Sequence, residues 1–265
     1  MTLENNIKKR IIELASEGKR IDGRKLEETR KIEIIYDISN QAEGSCHVKL
    51  GKTEVMVGVK LGLGEPYPDT PDAGNLIVNA EVTALAGKEY EPGPPKEEVI
   101  TMARVVDRGV RESGCVDMKK LVITKGERIW TLFIDAYVIN DAGNLIDASA
   151  IGALAALKKA MMPVYNKKDD KIEITGNHVK MSTKKLPIAE EPIAITIAKV
   201  GDYLLPDPTK EENQVSDATL TITLNKKDKG VSLQKGGSEG FTKTEFEKAL
   251  KIAIKNSKDI RAQIK

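Results

Sequence analysis

Cysteine, histidine and aromatic residues are all scarce in this sequence of 265 residues. The two cysteines, Cys46 and Cys115, are too few for a disulfide framework, and the two histidines, His47 and His178, are too few for a zinc cluster. Aromatic residues make up only 4% of the chain, which leaves no ladder of rings for stacking nucleic-acid bases. No apolar run reaches the roughly 18 residues of a membrane span. These absences predict a cytoplasmic chain that binds no metal ion and no membrane.

The charges of the chain nearly cancel. Lys and Arg together number 42 and Asp and Glu 40, which gives a formal net charge of +2 at pH 7. This balance excludes a polycation that coats nucleic acid, and it also excludes an acidic disordered tail. Any nucleic-acid site must therefore be a local patch of basic side chains.

Apolar periodicity predicts a mixed α+β chain. An amphipathic helix opens it, with apolar positions from Leu3 to Leu14, and a capping box of Thr242 and Glu245 marks the start of a C-terminal helix. The predicted strands are residues 32–38, 45–50, 53–61, 76–85, 120–124, 128–140, 193–200, 218–224 and 230–234, and the predicted internal helices are residues 95–113 and 148–162.

Both halves of the chain run strands first and helix afterwards, which predicts two related β-α-β modules. The expected divisions are an N-terminal arm (residues 1–28), a first module (29–165), a Lys/Asp-rich connector (166–190) and a second module with the C-terminal helix (191–265).

Several motif fragments are interpreted as turns or structural residues. Residues 50–53 end like a P-loop but precede a Val-rich strand, and residues 62–64 lack the third glycine of a dinucleotide-binding loop. Cys115 has no basic neighbour in sequence to activate it, and His47 alternates within a strand, so both are predicted to be structural. Three aspartates are predicted to stabilise turns, not to bind metal: Asp69, Asp72 and Asp141.

The arginines form the strongest candidate site. Only nine occur in the chain, and three of them, Arg104, Arg108 and Arg111, fall in the helix predicted over residues 95–113. At 100° per residue they lie within about 60° of one another, opposite the apolar stripe. That stripe is predicted to comprise Val99, Met102, Ala103, Val106 and Val110. Guanidinium groups bind phosphate oxygens bidentately. The alternative is a solvated face in which Arg104 pairs with Asp107 or a neighbouring Glu.

Motifs spread over nearly the whole chain resemble the RNase PH family of phosphorolytic exoribonucleases. The closest likeness is to its non-catalytic ring subunits in the archaeal exosome. The motifs are residues 20–24 (Arg-Ile-Asp-Gly-Arg), 30–32 (Arg-Lys-Ile), the hairpin over 44–55, 91–95 (Glu-Pro-Gly-Pro-Pro), 103–108 (Ala-Arg-Val-Val-Asp-Arg) and 206–209 (Pro-Asp-Pro-Thr) with Asp217.

The resemblance implies an RNase PH fold of two ribosomal-S5-like modules. It also implies a ring of three heterodimers, each with a homologous catalytic subunit, that threads single-stranded RNA through a pore beneath exosome cap proteins. In such rings the arginine helix faces the partner's active site and holds RNA phosphates. Arg104, Arg108 and Arg111 are therefore the predicted RNA-binding residues.

The resemblance also implies that this chain is not itself catalytic. Active members bind inorganic phosphate with a loop of the form Asp-Gly-(Gly/Ser)-(Ser/Thr)-Arg-Thr, whereas the matching residues 147–152 read Asp-Ala-Ser-Ala-Ile-Gly, without arginine. Of the later acidic pattern only Asp217 is a match. We therefore expect no catalytic residue and no cofactor here, with phosphate used by the partner. The alternatives are an active phosphate-dependent 3′-to-5′ exoribonuclease and, less favoured, a small-molecule kinase.

Overall fold

Helices and strands alternate along the chain in the computed structural model, which describes residues 3–91 and 93–265. The helices are α1 (Leu3–Ser16), α2 (Glu97–Glu112), α3 (Leu145–Lys159), α4 (Lys210–Gln214) and α5 (Lys243–Gln263). The strands are β1 (Ile32–Tyr36), β2 (Gly44–Leu50), β3 (Thr53–Gly64), β4 (Asn75–Val82), β5 (Val122–Thr124), β6 (Arg128–Asn140), β7 (Met161–Pro163), β8 (Tyr165–Asn166), β9 (Lys171–Ile172), β10 (Ile174–Thr175), β11 (His178–Val179), β12 (Met181–Lys185), β13 (Ile193–Val200), β14 (Tyr203–Pro206), β15 (Ala218–Leu224) and β16 (Gly230–Gly237).

Two sheets organise these elements. The larger has the order β1-β2-β3-β6-β4, with β5 also paired to β6, and the smaller has the order β14-β13-β15-β16. All neighbours are antiparallel except β4 and β6, which are parallel. A parallel pair needs a crossover, and α2 supplies it between β4 and β6, so this part of the chain is a β-α-β unit. The predicted α+β fold class is confirmed.

Helix α3 is the central element of the core. It packs against β2 and β3 of the larger sheet and β13 of the smaller one. Its small residues allow this double contact: a Cβ added at Gly152 would lie 2.5 Å from Cγ2 of Val57. Helix α2 touches β4, α3 and β16, and α5 covers the other side of the smaller sheet. The arginine helix therefore lies at the junction of the two sheets.

The predicted bounds need correction in several places. Strand β1 ends at Tyr36 because Asp37 has a φ of 57°, and β4 ends at Val82. The strand predicted over residues 120–124 is shorter: Met118–Leu121 forms a 3-10 turn, and β5 covers only Val122–Thr124. Strands β3 and β16 extend three residues beyond their predictions, and β2 starts one residue earlier. Strands β7 to β12, strand β14 and helix α4 were not predicted. Strands 128–140, 193–200 and 218–224 are confirmed, as is the Thr242–Glu245 capping box.

Both internal helices start elsewhere than predicted. Helix α2 begins at Glu97, because Lys96 is still extended as its N-cap. Helix α3 runs three residues earlier than predicted, from Asn144 as N-cap to Lys159, because Met161–Pro163 pairs with β12. Pro92 of the proline-rich turn and residues 1–2 of the arm lie outside the described residues. Within the described ranges, no helix is long and apolar enough to cross a membrane.

Candidate nucleic-acid interface

Helix α2 separates an apolar face from an arginine face. Glu97 and Glu98 lie in its first turn, where carboxylates favour the positive end of the helix dipole. The buried residues are Val99, Met102, Val105, Val106, Gly109 and Val110. Ala103 is only half-buried, so its predicted place in the stripe is wrong. The buried face is shifted toward Val105 and Gly109 because α2 also packs on the smaller sheet, where it contacts β16 and where Gly109 approaches the side chain of Thr223 in β15.

Arg104 and Arg108 line an open cleft of about 430 Å³ between α2 and strand β16. Its walls are Thr101, Arg104, Asp107, Arg108 and Gln234. Arg104 is exposed, and its guanidinium has no hydrogen bond or ion pair to any residue in the described part of the chain. The alternative, in which Arg104 pairs with Asp107 or a neighbouring Glu, is therefore not observed in the described part of the chain. An exposed, unneutralised guanidinium is suited to bind a phosphate oxygen.

Arg111 forms its ion pair with Asp107. Its Nη2 lies 2.7 Å from Oδ1 and its Nε 3.1 Å from Oδ2 of Asp107, and Nη2 also donates to the carbonyl of Leu76 at 3.0 Å. The hydrogen bond that Arg111 donates to Asp107 raises the pKa of Arg111 above its ordinary value. The assignment of Arg111 to RNA stays a prediction, because its side chain must leave Asp107 to reach a phosphate.

Arg108 is half-buried and forms a hydrogen bond with a residue of the smaller sheet. Its Nη2 donates a hydrogen bond to the amide oxygen of Gln234, in the edge strand β16. Its Nε is shielded from solvent yet has no hydrogen-bond partner among the residues that the structure describes. Sequence reasoning missed Gln234, and no local signal could have revealed it, because 126 positions separate the two residues. The Asp107–Arg111 pair did carry a signal, the i,i+4 spacing.

The segment that matches the phosphate loop begins in the first turn of a helix and continues into its interior. Residues 147–152 lie within α3, and Ala148, Ser149, Ile151 and Gly152 are buried. The Ser149 hydroxyl faces the sulfur of Met102 at 3.5 Å, and the half-buried Ala150 adjoins Val106 and Leu154. From Ala148 onward the backbone N–H groups are committed to i−4 carbonyls, beginning with that of Asn144, so they are not available to cradle an anion. The segment thus lacks the arginine, and its residues from Ala148 onward offer no free amides.

The cleft in front of α3 has the wrong sign of charge for phosphate. It measures about 610 Å³ and includes Asn144 and Leu145 at the start of the helix. The charged residues that line it are Glu89, Glu98, Asp141 and Lys210. The single ammonium of Lys210 is itself paired with Glu89 and, at 3.0 Å, with Asp141. Unpaired carboxylate charge repels a phosphate dianion.

Asp217 has a partner that sequence reasoning did not find. Lys8 of α1 forms an ion pair with its carboxylate, and the backbone N–H of Gly201 donates to the same group at 2.8 Å. Burial opposes ionisation, but these two hydrogen bonds outweigh it and lower the pKa of Asp217 below its ordinary value. A carboxylate with a lowered pKa is deprotonated at neutral pH, which is the wrong state for a general acid.

The arginines of the Arg-Ile-Asp-Gly-Arg motif, together with Arg30, form ion pairs within the fold. Arg20 is buried against Glu212, while Arg24 and Arg30 converge on the carboxylate of Asp207 at 3.0 and 2.6 Å. Burial raises the pKa of Asp207, but the Arg30 hydrogen bonds and charge outweigh this effect and lower it. These arginines tie the N-terminal arm to the smaller sheet and are not available to RNA.

The cysteines and His47 are structural, as predicted. Cys46 and Cys115 are buried free thiols, and burial raises the pKa of each to about 12. His47 lies 2.9 Å from a carboxylate oxygen of Glu54 in the neighbouring strand. Among the described residues, no three His, Cys, Asp or Glu side chains cluster closely enough to hold a metal ion.

Comparisons with known proteins agree with this organisation. The family model for domain 1 of the 3′ exoribonuclease (RNase PH) family matches residues 28–163, and the model for domain 2 matches residues 190–256. The predicted divisions at 29–165, 166–190 and 191–265 remain a prediction.

Close relatives and solved structures carry the likeness over the whole chain. Exosome complex component Rrp42 of Archaeoglobus fulgidus is 45% identical over 249 residues, which cover 94% of this chain and 92% of that protein. Rrp42 of Thermococcus kodakarensis is 44% identical over 256 residues, covering 96% and 92%. A chain in the structure of the Archaeoglobus fulgidus exosome with RNA bound to the active site superposes with a TM-score of 0.88 at 43% identity, covering 99% of both chains. The chain therefore belongs to the 3′ exoribonuclease (RNase PH) family.

Proposed function

We propose that this chain is a non-catalytic, RNA-binding subunit of an archaeal-type exosome ring. It pairs with a homologous catalytic subunit, completes that subunit's RNA channel and assists 3′-to-5′ phosphorolytic degradation of single-stranded RNA. The relatives named exosome complex component Rrp42 support this proposal, as does the likeness to a chain of an RNA-bound archaeal exosome.

The observation that carries the RNA-binding part is the cleft between α2 and β16. Arg104 is exposed there and unpaired within the described residues, and Arg108 faces the same space beside it. Two guanidiniums one helical turn apart can bind successive phosphates of a single strand or clamp one phosphate from two sides. Arg111 lies beside the cleft lining, paired with Asp107, and joins the contact only by exchanging Asp107 for a phosphate.

Three features support the absence of phosphorolysis in this chain. The segment over residues 147–152 is helical and has no arginine, the adjoining cleft carries mainly carboxylates, and, against the effect of burial, the contact with Lys8 lowers the pKa of Asp217. Phosphorolysis requires an inorganic phosphate held in line with the scissile bond. We therefore assign phosphate binding to the partner's active site and no cofactor to this chain.

The assembly follows from the same proposal. Three heterodimers form the hexameric ring, and cap proteins sit on one of its faces. We place the complex in the cytoplasm, which suits two cysteines that are free thiols in the fold.

The test is a reconstitution of RNA degradation. The chain is purified alone and co-expressed with a homologous catalytic subunit, and RNA loss is assayed with and without inorganic phosphate. The proposal predicts phosphate-dependent loss only in the co-expressed complex, whose native mass equals three heterodimers. Activity of the isolated chain would instead establish it as a phosphate-dependent exoribonuclease in its own right.

A further inference from the structure

The three arginines on α2 are in three different electrostatic conditions. Arg104 has no partner within the described residues, and Arg111 is neutralised by the carboxylate of Asp107. Arg108 is oriented by a neutral group, the amide of Gln234. One helix face therefore carries an unpaired guanidinium, a guanidinium that is oriented by a neutral group, and a guanidinium that is neutralised by a carboxylate.

Gln234 is itself fixed by the sheet. It lies in β16, opposite Thr221 of β15, and its Nε2 donates to the carbonyl of Lys235 at 3.2 Å. That contact directs the amide nitrogen to the backbone, so the amide oxygen is left to accept the hydrogen bond from Arg108. The orientation of Gln234 therefore determines where the Arg108 guanidinium points.

A neutral acceptor and a carboxylate would both hold Arg108 in place, but with different consequences for anion binding. An amide oxygen carries no net charge, so the positive charge of Arg108 remains available to a phosphate across the cleft. A carboxylate at the same position would form an ion pair and compete with phosphate, as Asp107 does for Arg111. Only Nη2 of Arg108 has an acceptor among the described residues, and its Nε is shielded from solvent, which leaves the N–H groups of Nη1 to bind a ligand.

We propose that Gln234 is a positioning residue of the RNA site: it holds the Arg108 guanidinium in the cleft without neutralising it, so that Arg108 binds a phosphodiester of single-stranded RNA. The inference rests on the proposed function, because it requires Arg108 to contact RNA. It extends the RNA site from α2 onto β16, an element of the second sheet that the arginine pattern does not include.

The experiment measures binding of a fluorescein-labelled oligoadenylate by the complex co-expressed with its catalytic partner, over a range of salt concentrations. The variants are Gln234→Ala, Gln234→Glu, Arg108→Ala and the double variant Gln234→Ala with Arg108→Ala. Gln263→Glu, at the end of α5, is the matched control for the added charge, since α5 packs on β13, β14 and β15 and contributes no residue to the lining of the cleft. Thermal unfolding and native mass establish that each variant folds and assembles.

Gln234→Ala should weaken binding roughly three- to tenfold with an unchanged salt slope, because Arg108 keeps its charge but loses its orientation. Gln234→Glu should weaken binding further and reduce the log–log salt slope by about 0.7, the value of one phosphate contact on a single strand. Gln234→Ala should add nothing when Arg108 is already alanine, which a merely structural role for Gln234 would not produce.

Each contrary result is decisive. If Arg108→Ala weakens binding but Gln234→Ala does not, the inference fails and the proposed function stands. An effect of Gln234→Ala that persists without Arg108 likewise overturns the positioning role. Wild-type affinity in the folded Arg108→Ala variant overturns both the inference and the role of Arg108 in the proposed function.

Discussion

Arg20 and Glu212 form an ion pair in which neither side chain has any exposed surface. The guanidinium Nε lies 2.9 Å from Oε1 of Glu212, and its Nη1 and Nη2 groups donate to the carbonyls of Pro206 and Asp207 at 2.6 and 3.0 Å. Glu212 also accepts from the backbone of Thr209 as part of the α4 capping box. The pair therefore joins the N-terminal arm to the smaller sheet across 192 positions of sequence.

Removing one partner of this pair should destabilise the fold strongly. Glu212→Ala leaves the Arg20 guanidinium buried without a counter-charge, which typically costs about 3–5 kcal/mol. Glu211→Ala is the matched control, since Glu211 is exposed in the same short helix. Denaturant unfolding of both variants tests the prediction. A Glu212→Ala variant as stable as Glu211→Ala would show that the pair contributes no net stability.

Asp217→Asn should leave phosphorolysis by the reconstituted complex nearly unchanged. The carboxylate is held ionised by Lys8 and Gly201, so it is not poised to donate a proton. The variant should lose about 1 kcal/mol or less of stability, because Lys8 is one-third exposed. As the pKa is lowered on folding, that contribution is present at neutral pH and is lost as the pH falls below about 4.

The assay for Asp217 compares rates of nucleoside diphosphate release by wild-type and variant rings of equal native mass. A general acid typically contributes a factor of about a hundred or more. A loss of that size in an assembled ring would place chemistry in this chain and favour the alternative of an active exoribonuclease.

Asp147 should give the chain a distinctive pH dependence of stability. Burial raises its pKa to about 7, against the opposing hydrogen bonds from Thr196 and Asn144. The folded chain therefore binds more protons than the unfolded chain between about pH 4 and pH 7. The contribution of Asp147 to the free energy of unfolding is greatest below pH 4 and is lost as the pH rises to 7.

Denaturant unfolding at pH 5 and pH 7.5 tests this sign. The stability advantage of the wild type over Asp147→Asn should shrink by about 2 kcal/mol between the two values, since shared groups cancel in the comparison. A difference that is the same at both pH values would mean that Asp147 is ionised in the folded chain throughout this range.

Local signals predicted the local features of this fold. The Thr242–Glu245 capping box, the turn over residues 50–53 and the arginine face of α2 all depend on residues a few positions apart. The bounds of α3 were wrong because its end is determined by strand pairing with β12, a distant segment. Tertiary context of this kind overrides propensity.

In the candidate site, too, features that depend on neighbouring residues were predicted and contacts between distant residues were not. The spacing of Arg104, Arg108 and Arg111 predicted a common face, and the missing arginine over residues 147–152 predicted a defective phosphate site. The contacts that distinguish these residues, Gln234 with Arg108 and Lys8 with Asp217, join positions 126 and 209 apart. Such contacts exist only once the two sheets and α1 have packed, so no local pattern encodes them.

The most direct test of RNA binding by the α2 face is a charge reversal at its two available arginines. Arg104→Glu with Arg108→Glu leaves the buried residues of α2 unchanged, so the complex should fold and assemble. Lys248→Glu with Lys251→Glu, two exposed positions on α5, is the matched control. The measurement is RNA affinity of the assembled complex as a function of salt concentration. The arginine variant should bind more weakly, with a log–log slope reduced by about 1.4 for two lost phosphate contacts, and the lysine variant should match wild type. Unchanged affinity and slope in a folded, assembled arginine variant would contradict the account.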